Sequence, residues 1–223
     1  MPIVVSQQIQ GDVNGLLDPA LFEVLGSDGT STGRIVTCAS LLPANEENED
    51  TTILLVGEFG DANDSPQAVK VIGDLLTEKI DPATGTPYNA RGTSVAVTEL
   101  EAGPSLVIAR WMSSAEWERG QNNCPTGTRS IVQLTWQGGV VSYDGDELGL
   151  DSIDYERFTV TFSNGSTTTP FAFGDLNDND NIVELCLRTV SNTGTVSVLA
   201  DTVLDPAGDP NPPTNALIDG SAL

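Results

Sequence analysis

Short apolar segments that alternate with a period of two, each closed off by Gly, Pro, Asn or Asp, constrain this chain more than any other feature. Successive side chains of a strand point to opposite faces, so alternation makes one face apolar, whereas a helix needs a spacing near 3.6 residues. Such segments fall at 3–9, 34–39, 52–59, 68–72, 94–100 and 105–112, and again at 130–136, 139–143, 158–162, 169–173, 182–190 and 195–199. Many short strands at this spacing predict an all-β, antiparallel β-sandwich of immunoglobulin-like or jelly-roll type. Helix is expected only at 113–120, with Ser113 or Ser114 as cap and Glu116 in the first turn, and at 18–25.

Residues 111–128 hold few strand formers and carry Gly120, Asn122, Asn123, Pro125 and Gly127. They divide the chain into two tandem sandwiches: a domain at 1–112, a connector at 113–128 and a second domain at 129–204. Pro210-Asn211-Pro212-Pro213 predicts an extended tail over 205–223. An internal similarity supports the tandem arrangement. Phe59-Gly60-Asp61-Ala62-Asn63-Asp64 returns as Phe173-Gly174-Asp175-Leu176-Asn177-Asp178, at an offset of 175 − 61 = 114 residues. It suggests equivalent loops in two related domains.

The 223 residues carry 32 acidic and 9 basic side chains, a net charge of -23. Such a surface repels phosphates and anionic headgroups, which excludes nucleic acid and membrane surfaces as partners. Cations, other copies of the chain, surface proteins and glycans remain. Lysine is confined to Lys70 and Lys79, and acid in excess with little lysine fits a high-salt or marine setting. No apolar stretch is long enough to cross a bilayer, so membrane insertion is not expected. The opening residues lack the basic region and apolar run of a signal peptide, as in a chain not exported by that route or in a mature form.

The chain has no histidine, which removes Ser–His–Asp and Cys–His catalysis and every histidine metal site. It has neither a phosphate-cradling loop nor a dinucleotide fingerprint. Glu116, Glu118 and Glu147 are unselected candidates for paired-carboxylate hydrolysis. A non-enzymatic protein is expected. Cys38, Cys124 and Cys186 show no metal or redox spacing. Cys186 points with Glu184 and Arg188, away from the face formed by Val183, Leu185 and Leu187, while Cys124 lies in a polar loop. A Cys124–Cys186 bridge is the expected pairing, against the alternative of three free thiols. The bridge implies an oxidising compartment, extracellular or at the cell surface.

Asp175, Asn177, Asp178, Asn179 and Asp180 concentrate oxygen donors in one loop, and calcium takes about six to eight such ligands. Asp61, Asn63 and Asp64 form a sparser copy. An EF-hand is excluded, because with Asp175 in first place the sixth position is Asp180 rather than Gly and the twelfth is Cys186 rather than Glu. A plain turn accounts for the same composition, since Asp and Asn cap nearby backbone amides. Asp175-Leu176-Asn177-Asp178-Asn179 resembles the Asp-x-Asn-Asp-Asn linker of cadherin-like and bacterial immunoglobulin-like surface repeats. That resemblance covers the six residues from Asp175 to Asp180 and implies calcium held at a domain junction.

Of the three tryptophans, Trp136 shares a strand face with Leu134 and Val132 and is expected in the core. Trp117, between Glu116 and Glu118, is the one placed to stack on a sugar ring. Ile3, Val5 and Ile9 alternate, so either terminus could complete a neighbouring sheet. These features point to a calcium-stabilised, self-assembling structural or adhesion module. A carbohydrate-binding module and a virion or appendage filament subunit are the alternatives.

Overall fold

The computed structural model describes residues 1–44, 48–60, 64–97, 103–113, 116–117, 123–143, 145, 148, 155–174, 180–190 and 192–220. It is all-β, and the chain separates into two compact units. One comprises Met1–Leu42 with Asp50–Leu100, the other Pro43–Glu49 with Glu101–Ala222. The expected boundary near 112 therefore moves to about 100, and the second unit also claims a short excursion of the chain at Pro43–Glu49.

In the first unit, β1 (Pro2–Val4), β2 (Leu16–Leu17), β4 (Val36–Ser40) and β5 (Thr52–Gly57) form one sheet in the order β1-β5-β4-β2. A second sheet, β3-β6-β9, contains β3 (Phe22–Leu25), β6 (Ala68–Val71) and β9 (Ser94–Ala96). Alternation assigns the faces. Ile53 and Leu55 from the first sheet, and Phe22, Val24, Val69 and Val71 from the second, meet in one core, which makes this unit a sandwich. β7 (Leu76–Ile80) and β8 (Pro87–Asn89) form a hairpin whose turn is built on Asp81 and Gly85.

The helix expected at 18–25 is instead a single 3-10 turn, Pro19–Leu21, followed by β3. Asp18 caps that turn through the Ala20 N–H, but Phe22-Glu23-Val24-Leu25 alternates and drives the chain into the sheet. The strand expected at 3–9 stops at Val4, although Ile9 still reaches the core through a bridge to Thr77.

The second unit is one eight-stranded sheet, β13-β12-β16-β17-β10-β11-β15-β14. Its members are β10 (Leu106–Met112), β11 (Ser130–Trp136), β12 (Phe158–Phe162), β13 (Thr167–Thr168), β14 (Ala172–Phe173), β15 (Ile182–Leu187), β16 (Gly194–Val198) and β17 (Thr214–Asp219). Phe158 lies next to one edge and Phe173 at the other, yet their rings meet edge-to-face with centroids 5.1 Å apart. The sheet therefore curls over itself and encloses Val132, Leu134, Trp136, Val183, Leu185 and Val196.

β10, assigned from sequence to the first domain, pairs along its length with β11 and belongs here. Of the segment 139–143, only Val141 makes a bridge, to Leu204. The expected tail is a strand, since β17 begins directly after Pro213 and inserts between β16 and β10, antiparallel to one and parallel to the other. Asn211 anchors its approach. Its Oδ1 accepts from the N–H groups of Thr202 and Val203 at 2.7 and 2.8 Å, and its Nδ2 donates to Leu199 and Pro212 at 2.8 Å each. Both terminal strands are thus paired within the chain.

Candidate functional site

The acidic run at 175–180 follows β14 and precedes β15 in the second unit. β14 and β15 are antiparallel neighbours, with Ala172 opposite Cys186 and Phe173 opposite Leu185, so this loop closes a hairpin. Cys186 is bridged to Cys124, with Cα atoms 5.6 Å apart, as the sequence pairing anticipated. Gly174 seats the bridge. A Cβ there would lie 2.5 Å from the Cys124 Sγ and 3.0 Å from the Cys186 Sγ, so the disulfide occupies the space a side chain would need.

The far end of the loop is equally fixed. Asp180 is buried, and its Oδ1 accepts the Ile182 N–H at 2.6 Å. Asn181 exchanges bonds with Trp136, donating Nδ2 to its carbonyl at 2.6 Å and accepting its N–H at 2.8 Å. One oxygen of Asp180 is thus committed to starting β15. Asp175, Asn177, Asp178 and Asn179, the other proposed ligands, lie outside the described residues.

The similar hexapeptide in the first unit occupies a different setting. It follows β5 and leads to β6, which belongs to the other sheet, so it is no hairpin. Asp61 and Asn63 lie outside the described residues. Asp64 is exposed and pairs with Arg34 at 2.5 Å, while the Arg34 guanidinium also donates to the carbonyls of Phe59 and Asp64. Gly60 has φ +98 and lies against that guanidinium. The two hexapeptides share sequence without sharing topology, contrary to the equivalent loops expected.

A second polar constellation covers the outer face of β10, β11 and β15. Register aligns Arg110 with Gln133 and Gln133 with Glu184, and all three are buried. The Arg110 guanidinium donates to the Glu116 carboxylate, to Gln133 Oε1 at 2.7 Å and to the Asn48 carbonyl at 3.3 Å. Glu116 is 2% exposed and caps a helical turn. Its Oε2 accepts the Ser113 N–H at 2.6 Å, while the Glu116 N–H returns to the Ser113 carbonyl. Burial pushes the Glu116 carboxyl up, but the bonds from Ser113 and the charge of Arg110 outweigh it and hold it below the usual range. Asn48 closes the ring by donating Nδ2 to the Glu116 carbonyl at 3.2 Å. Arg110 thereby fastens the Pro43–Glu49 excursion to the sheet.

Trp117 is half-buried, and its indole N–H donates to the Met112 carbonyl at 3.1 Å. Its polar edge is therefore committed within the chain. Sequence reading missed the Arg110 constellation, although a signal was there: each of the three apolar strands carries one polar residue near its middle. Among the described residues, no group of three or more His, Cys, Asp or Glu side chains is placed to hold a metal ion, and no helix is long and apolar enough to cross a membrane. No family model matches this sequence, and no curated protein or solved structure shows significant similarity to it.

Proposed function

We propose that this chain is a non-enzymatic, extracellular or surface-exposed structural module acting in adhesion or assembly, with calcium bound by the 175–180 loop. The observation that carries this reading is the Cys124–Cys186 bridge at the root of that loop. Disulfides persist in oxidising compartments, where free calcium is also high enough for weak extracellular sites to fill. A bridge seated on Gly174 and the Asn181–Trp136 bonds fix the two residues that flank the acidic run. Preorganisation of that kind lowers the entropy lost when oxygens converge on an ion. Asp175, Asn177, Asp178 and Asn179 supply the donors, with Asp180 closing the run.

The test follows the melting temperature in calcium and in chelator, together with retention of labelled chain on the cells that produce it. Calcium is expected to raise the melting temperature and to support retention, and Asp178→Ala is expected to remove both effects. A melting temperature indifferent to calcium in the wild type overturns the ion site. Absence of retention in calcium overturns the surface role.

A further inference from the structure

An asparagine organises the hairpin turn between β12 and β13. The Gly165 N–H donates to the Phe162 carbonyl and the Phe162 N–H to the Ser166 carbonyl, both at 2.9 Å. Gly165 has φ +82, so Ser163-Asn164-Gly165 is a hairpin loop closed by a left-handed glycine. Asn164 Oδ1 accepts twice from Ser166, from its N–H at 2.9 Å and from its hydroxyl at 2.7 Å. Among the described residues nothing accepts from Asn164 Nδ2. The turn is open to solvent: residues 163–167 are all exposed, and a Cβ at Gly165 would meet nothing within 4 Å. Elsewhere Asp12, Asp18, Asp28, Asp81 and Asp205 make the same turn bond. A carboxylate serves that bond as well as an amide does, so what asparagine adds is its nitrogen. Asn89, in a similar turn, spends its Nδ2 on Asp74 at 2.9 Å, whereas Asn164 keeps its own uncommitted.

We propose that Asn164 is a site of N-linked glycosylation, with Asn164-Gly165-Ser166 as the acceptor triplet. Asparagine with Ser or Thr in second place after it, and no proline between, is the pattern this modification uses on surface loops of secreted proteins. The site rests on the extracellular reading above, since such glycans are added on the way to the cell surface. The co-reactant is a lipid-diphosphate-linked oligosaccharide, and a transferase of the producing cell joins the two. Asn164 Nδ2 attacks the anomeric carbon of the sugar, and the N–C bond forms as the C–O bond to the diphosphate breaks. The lipid diphosphate leaves with that electron pair, and one Nδ2 proton passes to a base of the transferase. The hydroxyl that the triplet requires already lies against the acceptor amide. A second triplet, Asn63-Asp64-Ser65, is present in the sequence, but Asn63 lies outside the described residues.

The surroundings give the sugar something to do. In a chain of net charge -23, residues 158–174 hold no charged side chain, so this corner lacks the carboxylates that solvate the other turns. β13 is also an edge of the eight-stranded sheet, and an open edge invites pairing with a strand from another chain. A hydrated glycan on Asn164, just ahead of Thr167, supplies solvation and covers the approach to that edge.

The experiment collects the full chain from the outside of the cells that produce it and, separately, from their interior. Mass spectrometry of the tryptic peptide 158–188, with fragmentation that keeps sugars attached, then locates any added mass. Copies from outside are expected to carry sugar on Asn164. Asn164→Gln and Ser166→Ala are expected to lose it completely, and Ser166→Thr, which keeps the hydroxyl, to retain it. Asn14→Gln alters an exposed Asn-Gly pair followed by Leu16 rather than by a hydroxyl, and is expected to leave the sugar on Asn164 unchanged. Circular dichroism identical to wild type shows that each variant is folded. Outside copies with a bare or merely deamidated Asn164 overturn the site and leave the surface role standing. Sugar found on Ser166 or on residues 167–169 instead, or sugar on Asn164 that survives Ser166→Ala, overturns it equally. A chain confined to the cell interior overturns the surface role and this site with it.

Discussion

Replacing Arg110 by Met isolates what the buried guanidinium contributes. Methionine keeps much of the apolar stem and removes the charge and the donors. The Glu116 carboxylate, 2% exposed, is then left with the Ser113 N–H but without its counter-charge. Gln133 Oε1 and the Asn48 carbonyl lose the same donor. Removing one partner of a buried ion pair costs about 3–5 kcal/mol, because the surviving charge stays desolvated. Against a total stability of about 5–15 kcal/mol, that is a large fraction.

Urea denaturation at neutral pH, followed by the fluorescence of the fully buried Trp136, measures the loss as a lower midpoint at unchanged slope. Adding Glu116→Gln to Arg110→Met preserves an acceptor for Ser113 and removes the stranded charge. The double variant is expected to recover about 2 kcal/mol of the loss. Acid makes the same point. The folded pKa of Glu116 is depressed, so the pair stabilises fully above the unfolded value of 4.5, and this is lost as pH falls through the lower folded value. The gap between wild type and Arg110→Met therefore narrows below pH 4.5. A single-variant cost under about 1 kcal/mol, or a double variant no better than the single, refutes the argument, because either result means that Glu116 is not a stranded charge.

Two further outcomes follow from other parts of the fold. Cys124→Ser with Cys186→Ser opens a closure of 62 residues, which chain entropy values at about 4 kcal/mol. A loss under about 1 kcal/mol on the same urea assay would mean that the bridge does not constrain the unfolded chain. Burial, aided by the charge of Glu78, raises the Asp50 pKa from 3.8 to about 6. Ionised Asp50 thus weakens the fold as pH rises between those values, and the penalty is complete above about 6 and absent below 3.8. Asp50→Asn should raise the melting temperature at pH 8 by more than it does at pH 4; a difference that does not change with pH rules out Asp50 as the cause.

What was legible in the sequence depended on range. The strands at 130–136 and 158–162 were readable to the residue, because alternation and a flanking turn are local properties. At 18–25 the local signals conflicted. A short helix was expected there, whereas Asp18 and Pro19 open only one 3-10 turn and burial of Phe22 and Val24 decided for strand. At the C-terminus the prolines at 210–213 masked the alternation of Ala216 and Ile218 immediately beyond them. The Cys124–Cys186 pairing was readable because it needs only one residue facing off the core and one in a loop. The Arg110 constellation was not, because Gln133 lies 23 and Asn48 62 positions away, and only sheet register brings them together.

The net charge itself takes on a different meaning once the turns are resolved. Asp12, Asp18, Asp28, Asp81 and Asp205 each accept a backbone N–H two residues ahead. Such turns stop strands and reverse the chain, so part of the acid serves turn chemistry rather than an ion. Asn89 and Asn164 make the same bond without a charge, so the turn alone does not require aspartate. What the charge adds is repulsion between copies, placed in the loops around the sheets. On the outer side of β12, β16 and β17, Thr159, Thr161, Thr195 and Ser197 share the face with Asn215, Leu217 and the charged Asp219. Leu217 is 78% exposed there, so that face mixes hydroxyl, apolar and charged side chains. Charge is not confined to the turns, however: Glu23 stands opposite Lys70 on β3 and β6, and Asp219 ends β17, so repulsion between copies acts from the sheets as well as from the loops.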